Sequence, residues 1–214
     1  MHTVKSLIPA FNVNKQLKST IASTMWTDAN DFLHRSNIIL EDLEIGSFAY
    51  LSKIYIDILM AIESDLKCII IGLSIKSETP EESYNIIRGH SHRIDKLYKE
   101  VKKREFKRIK LLNKKDENEL LENAIKIRVE NRYRLVTLMQ LRKDDKFNID
   151  MGTGEYSQLL EYTYIRKLQK IAFELHIISD KTCKKYLIKE IINGKNMKKF
   201  DDRFKDFFEN IKKL

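Results

Sequence analysis

Three observations on the sequence predict an all-α fold. The 214 residues contain only 6 Gly and 2 Pro, too few breakers for many short strands. Apolar residues recur at steps of three and four, and period-two runs are scarce. Residues 47–75, SFAYLSKIYIDILMAIESDLKCIIIGLSI, form a stretch about two-thirds apolar. A helix that is apolar almost all the way round is one that other helices enclose. This stretch is therefore expected at the centre of a helical bundle, roughly 40 Å long, with Gly72 a weak point near its C-terminal end. Lys53, Asp57, Glu63, Asp65 and Lys67 interrupt it. Spanning a bilayer takes about 18 or more apolar residues with few charges, so the stretch reads as the core helix of a soluble bundle.

The length suits one domain. Residues 1–142 are expected to form the helical bundle core, and residues 143–214 a C-terminal helical extension packed on the same domain. The net charge of +9 favours a polyanionic partner, nucleic acid first. A genome that encodes Lys freely is the competing explanation, and it would spread the charge evenly. Instead, residues 93–115 hold eleven Lys/Arg against three Asp/Glu, a net of +8 (11 − 3). Cys68 and Cys183 lack metal-ligand spacing. Cys68 sits in the apolar helix as a buried thiol, and a reducing, cytoplasmic compartment is expected. Residues 1–10 lack the apolar run of a signal peptide.

In chain order, residues 1–26 read as a loosely packed lead-in, with one helix from Lys15. Thr27 or Asp28 is expected to cap a helix holding Phe32, Ile38, Ile39 and Leu43, which Gly46 breaks before the central helix. Thr79-Pro80-Glu81-Glu82 is a helix start: Thr79 caps, Pro80 takes the first helical position and Glu82 closes a capping box. That helix runs towards Gly89, where a bend or interruption is expected. Ile94, Leu97, Tyr98 and Val101 continue as an amphipathic face. Residues 120–141 predict a further helix, and residues 143–154 a loop. A helix resumes over 155–176, with Leu159, Leu160, Tyr164, Leu168, Ile171, Ala172 and Leu175 on one side. Asp180 is expected to cap another helix ending at Gly194. Residues 197–214 carry Phe200, Phe204, Phe207, Phe208 and Ile211 on a short amphipathic helix that packs back or meets a partner.

The residues best equipped for chemistry are Arg88, His90, His92 and Arg93. Cationic neighbours tend to keep an imidazole neutral near pH 7. A neutral His can take the proton of a ribose hydroxyl, and an Arg can stabilise a crowded phosphate. Arg88 and His92, at i and i+4, share a helix face. Lys99, Lys102, Lys103, Arg104, Lys107, Arg108 and Lys110 would grip a nucleic-acid backbone without reading sequence. Glu63 and Lys67 read as an i, i+4 ion pair or as groups that orient a site. Gly152-Thr153-Gly154 lacks the Lys-Ser/Thr of a phosphate loop. No zinc spacing and no nucleophile elbow occur. Asp144, Asp145 and Asp150 read as solvated loop charge, and Tyr133 among Arg128, Arg132 and Arg134 as a core-edge ring or a base-stacking one. No metal or cofactor is expected. No helix-turn-helix stands out, which sets DNA binding behind RNA binding.

The order of these motifs resembles a family. Ala61-Ile62-Glu63-Ser64-Asp65-Leu66-Lys67 lies in the buried helix, and Gly89-His90-Ser91-His92-Arg93-Ile94-Asp95-Lys96-Leu97-Tyr98 follows a short connection. Together they are similar to the Glu-x-x-x-Lys helix and the Gly-His-x-Leu-x-x-Leu-Tyr segment of the HEPN superfamily, over about residues 47–104. The resemblance implies a helical bundle that commonly dimerises. It also implies either a metal-independent endoribonuclease of toxin–antitoxin, abortive-infection or other anti-phage defence systems, or a non-catalytic member that binds RNA or a partner such as an antitoxin. The family's catalytic signature is an Arg, four to six residues, then a His. Here three residues separate Arg88 from His92, a departure that bears on catalysis rather than on the fold.

Overall fold

The computed structural model describes residues 12–41, 48–74, 78–104, 109–123, 161–186 and 194–213. They form seven α-helices: α1 (Val13–Glu41), α2 (Phe48–Gly72), α3 (Pro80–His90), α4 (Ile94–Arg104), α5 (Lys114–Asn118), α6 (Tyr162–Tyr186) and α7 (Gly194–Lys212). A π-helical turn, Glu119–Asn123, continues α5. The described residues contain no strand, and the all-α expectation holds.

The central helix is α2, and every residue from Ile54 to Leu59 and from Ala61 to Leu66 is buried. Such a helix needs neighbours on all sides, and α1, α4 and α6 supply them. α1 runs antiparallel to α2: Arg35 pairs with Asp57, and at the other end Lys18 donates to the Glu78 carbonyl 2.6 Å away, beyond the end of α2. α6 runs parallel to α2, since Asp65 meets His176 and, further along both helices, Gly72 meets Thr182. α4 lays Ile94, Leu97, Tyr98 and Val101 into the same core. Among the described residues no helix is long and apolar enough to cross a membrane.

α1 departs from the expected lead-in and second helix. It passes through Thr27 and Asp28 without a break, and Asn12 starts it by accepting the Lys15 N–H at 3.0 Å. The polar run does not end the helix because its hydroxyls bond back along it. Thr20 donates to the Gln16 carbonyl, Thr24 to that of Thr20 and Thr27 to that of Ser23, at 3.0–3.1 Å. Leu17, Ile21, Ala22, Ala29, Leu33 and Leu40 are buried along its length, so tertiary packing overrides the local turn preference.

The start of α3 follows the sequence. Thr79 Oγ1 accepts from the Glu82 N–H at 3.2 Å, the Glu82 carboxylate accepts from the Thr79 N–H at 2.7 Å, and Pro80 opens the helix. Gly89 lies inside α3, which ends a residue later at His90. Asp180 does not cap a new helix: it lies within α6 and pairs with Lys184 one turn on at 2.6 Å. Gly194 opens α7 rather than closing a helix. α7 packs back on the bundle. Phe207 is buried edge-on against Tyr84, and Arg203 forks onto Glu81 while donating to Asn14 at 2.9 Å. Ile165, Leu168, Ile171, Ala172 and Leu175 of α6, and Phe207 of α7, join the same hydrophobic cluster as α1–α4. Gly46, residues 124–141, the 143–154 loop and Leu159–Leu160 fall outside the described residues.

Candidate functional site

The site is built at the α3–α4 turn. The Ser91 N–H bonds the Arg88 carbonyl and the Arg93 N–H bonds the His90 carbonyl, both at 2.9 Å, so a tight turn of three residues links the two helices. Ser91 takes φ 41°, a conformation that costs a side-chain-bearing residue of order 1–3 kcal/mol. The turn sends His92 back onto α2, where its Nδ1 lies 2.9 Å from Glu63 Oε2.

Glu63 is 2 % exposed, and its other oxygen accepts from Lys67 Nζ at 2.5 Å. The i, i+4 spacing on α2 places Lys67 and Glu63 on one face, and the turn supplies His92 to it. A carboxylate on Nδ1 selects the tautomer that carries its proton there, so Nε2 is left as the basic nitrogen. The His92 side chain is 38 % exposed, which makes it reachable by a macromolecular substrate. Asp28 of α1 lies near this group. Burial and Asp31 push its carboxyl up, and Lys67 pulls it down.

The other residues singled out from the sequence go to different places. Arg88 donates through Nη1 to the Ile211 carbonyl at 3.2 Å, closing the C-terminal end of α7. Arg93 forks onto Asp95 with two 3.1 Å bonds and holds that carboxyl below its usual range. His90 is half-buried at the end of α3. The cation joined to the Glu63–His92 pair is therefore Lys67.

The basic segment divides in the same way. Lys99 and Lys110 are exposed. Lys102 pairs with Glu117 at 3.1 Å and Lys103 with Glu100 at 3.2 Å. Exposed pairs of this kind are worth about 0–1 kcal/mol, so both lysines can exchange a carboxylate for a phosphate. Arg104 cannot do so at comparable cost. It is 8 % exposed, contacts Glu78 and Glu100 at 2.9 Å, and donates to the Ile70 carbonyl at 3.3 Å. Its place is structural, tying α4 to the end of α2. Lys107 and Arg108 lie outside the described residues.

A second carboxylate–histidine pair was not singled out from the sequence. His176 Nδ1 lies 3.0 Å from Asp65 Oδ1, and the Ser179 hydroxyl donates to the same oxygen at 2.5 Å. Trp26 stacks on the His176 ring at 5.0 Å. Burial raises the Asp65 carboxyl, with His176 and Ser179 pulling against it. The signal available in the sequence was the charged Asp65 in an otherwise apolar helix, which requires a partner. A shallow groove between α3 and α7 is lined by Glu81, Asp206 and Glu209 beside Arg203 and Lys213. Its carboxylates outnumber its cations, which disfavours a phosphate ligand there. No group of His, Cys, Asp and Glu suited to a metal ion occurs among the described residues. Compared with protein-family models, curated proteins and solved structures, the chain matches none.

Proposed function

We propose that this chain is a HEPN-like protein acting on RNA, a metal-independent endoribonuclease in which His92 is the base. The observation that carries the reading is the Lys67–Glu63–His92 group, which presents a tautomer-selected imidazole beside a basic helix. A ribose 2′-hydroxyl attacks the adjacent phosphorus while its proton passes to His92 Nε2. The bond to the 5′-oxygen breaks, and that oxygen takes a proton from solvent. The products are a 2′,3′-cyclic phosphate and a 5′-hydroxyl. Lys99, Lys102, Lys103 and Lys110 hold the backbone by charge. A homodimer would bring two such turns together and supply phosphate-binding groups from the second copy. The resemblance stated above also suggests a toxin or effector role in anti-phage defence, with an antitoxin as partner.

A second reading has its own observation. Arg93 is locked to Asp95 and Arg88 closes α7, which favours a non-catalytic RNA-binding or partner-binding protein. The deciding experiment incubates purified protein with cellular RNA in the presence of a chelator, beside His92→Ala, His90→Ala and Glu63→Gln. Cleavage that is lost with His92→Ala and reduced with Glu63→Gln supports the nuclease. RNA left intact but bound, with affinity falling steeply as salt rises, supports the binder. Absence of both activities removes RNA from the account.

A further inference from the structure

Cys68 of α2 and Cys183 of α6 are free thiols whose sulfur atoms lie 3.0 Å apart, although 115 residues separate them in sequence. The helices can approach this closely because Gly72 lies one turn beyond Cys68. A Cβ there would sit 3.0 Å from Thr182 Cγ2 and 3.9 Å from Cys183 Sγ. A sulfur–sulfur bond is about 2 Å long, so closing the pair takes about 1 Å of movement. The two thiols are unequal. Cys68 is fully buried, while Cys183 is only partly buried and is the more accessible of the two.

We propose that Cys68 and Cys183 form a reversible two-electron redox site that closes to an interhelix disulfide when hydrogen peroxide oxidises Cys183. The Cys183 thiolate attacks the peroxide, the O–O bond breaks, and Cys183 becomes a sulfenic acid with release of water. The Cys68 sulfur then attacks the Cys183 sulfur. The S–O bond breaks, and the hydroxide leaves with the Cys68 proton as a second water. The balance is two thiols and one hydrogen peroxide giving one disulfide and two waters. A dithiol reductant reverses it.

The order of events follows from the surroundings. The hydrogen bond to Cys183, burial, and the Asp65 and Asp180 charges all hold the Cys68 thiol well above its ordinary pKa. Cys68 is therefore a poor first target and acts as the resolving sulfur once Cys183 carries a leaving group. The product clamps α2 to α6 across the long intervening chain. By constraining the unfolded state it should raise the melting temperature by about 5–10 °C.

The test uses the 214-residue chain, reduced and then exposed to hydrogen peroxide. Remaining thiols are capped with N-ethylmaleimide under denaturing conditions and counted by intact mass. Two caps before exposure, none afterwards in monomeric protein, and a peptide map joining the Cys68 and Cys183 peptides support the site. Dithiothreitol should restore both caps and the lower melting temperature. In Cys183→Ser, Cys68 should keep its cap at the same exposure. Retention of both caps in wild type, cross-links only between chains, or a sulfinic acid on Cys183 beside a capped Cys68 would each overturn the proposal. The wild-type peptide map decides even if a substituted chain folds poorly.

Discussion

At the scale of single residues, the most consequential groups are charged side chains inside an apolar bundle. Asp65 is fully buried, and burial holds its carboxyl above the ordinary range. In the unfolded chain it titrates near 3.9. Between that value and the raised folded one, the folded protein keeps a proton that the unfolded chain releases. Stability therefore falls as pH rises through this window. Asparagine does not titrate and still accepts from Ser179, so Asp65→Asn should gain stability relative to wild type as pH rises from about 3, with the gain flattening above the window. Urea unfolding at a series of pH values reads this directly. Asp65→Ala should instead cost about 2–4 kcal/mol, since it opens a cavity and takes away the carboxylate that His176 Nδ1 meets, while the Ser179 hydroxyl keeps the His176 carbonyl as acceptor at 2.9 Å. Arg104 offers a second contrast. Arg104→Ala removes the forked cation from Glu78 in a part-buried setting and leaves Glu100 with Lys103 alone; it should cost about 2–4 kcal/mol. Lys99→Ala, at an exposed position, should leave stability within about 0.5 kcal/mol while weakening RNA binding. Equal losses of stability in the two variants would contradict the separation of structural from surface cations.

At the scale of elements, α3 runs from a strong helix start to a strained turn at Ser91. The Thr79–Glu82 capping box secures the N-terminus of α3, and Thr79→Ala should cost about 1 kcal/mol. The strain at Ser91 acts in the opposite direction. Glycine adopts φ 41° freely, so Ser91→Gly should stabilise the chain by about 0.5–1 kcal/mol, and Ser91→Val should destabilise it. Thermal melting of the three variants gives the signs. If the strain serves to hold His92 against Glu63, Ser91→Gly should also reduce RNA cleavage while raising the melting temperature.

At the scale of the whole molecule, α6 is part of the core rather than an attachment to it. Its buried Ile165, Leu168, Ile171, Ala172 and Leu175 pack with α1 and α2. A chain ending at residue 160 would leave one side of α2, including Asp65 and Cys68, facing water. It should show no cooperative thermal transition by circular dichroism and should bind a hydrophobic dye. A cooperative transition in that fragment would show that residues 12–123 carry an independent core. A truncation after residue 193 removes α7 alone, with Phe207 its single buried core residue among those described. It should fold with a lowered melting temperature.

Much of this was readable in the sequence because it rests on short-range chemistry. The all-α class, the central helix (expected over 47–75, found over 48–72), the start of α3 and the amphipathic face of α4 all follow from patterns within a few residues. The break expected at Thr27–Asp28 failed for a physical reason. Capping propensity is local, whereas the hydroxyl back-bonds and the buried Leu17–Leu40 face decide the outcome only when α2 is present. The role of Arg104 was hidden in the same way, since a basic run does not show which of its members turns inward. The pairs that define the sites, Glu63 with His92, Asp65 with His176 and Cys68 with Cys183, join positions 29, 111 and 115 residues apart. The sequence by itself determined the helices and the charge they carry. Only the tertiary structure decided which side chains meet, because those meetings depend on how helices cross and not on any local period.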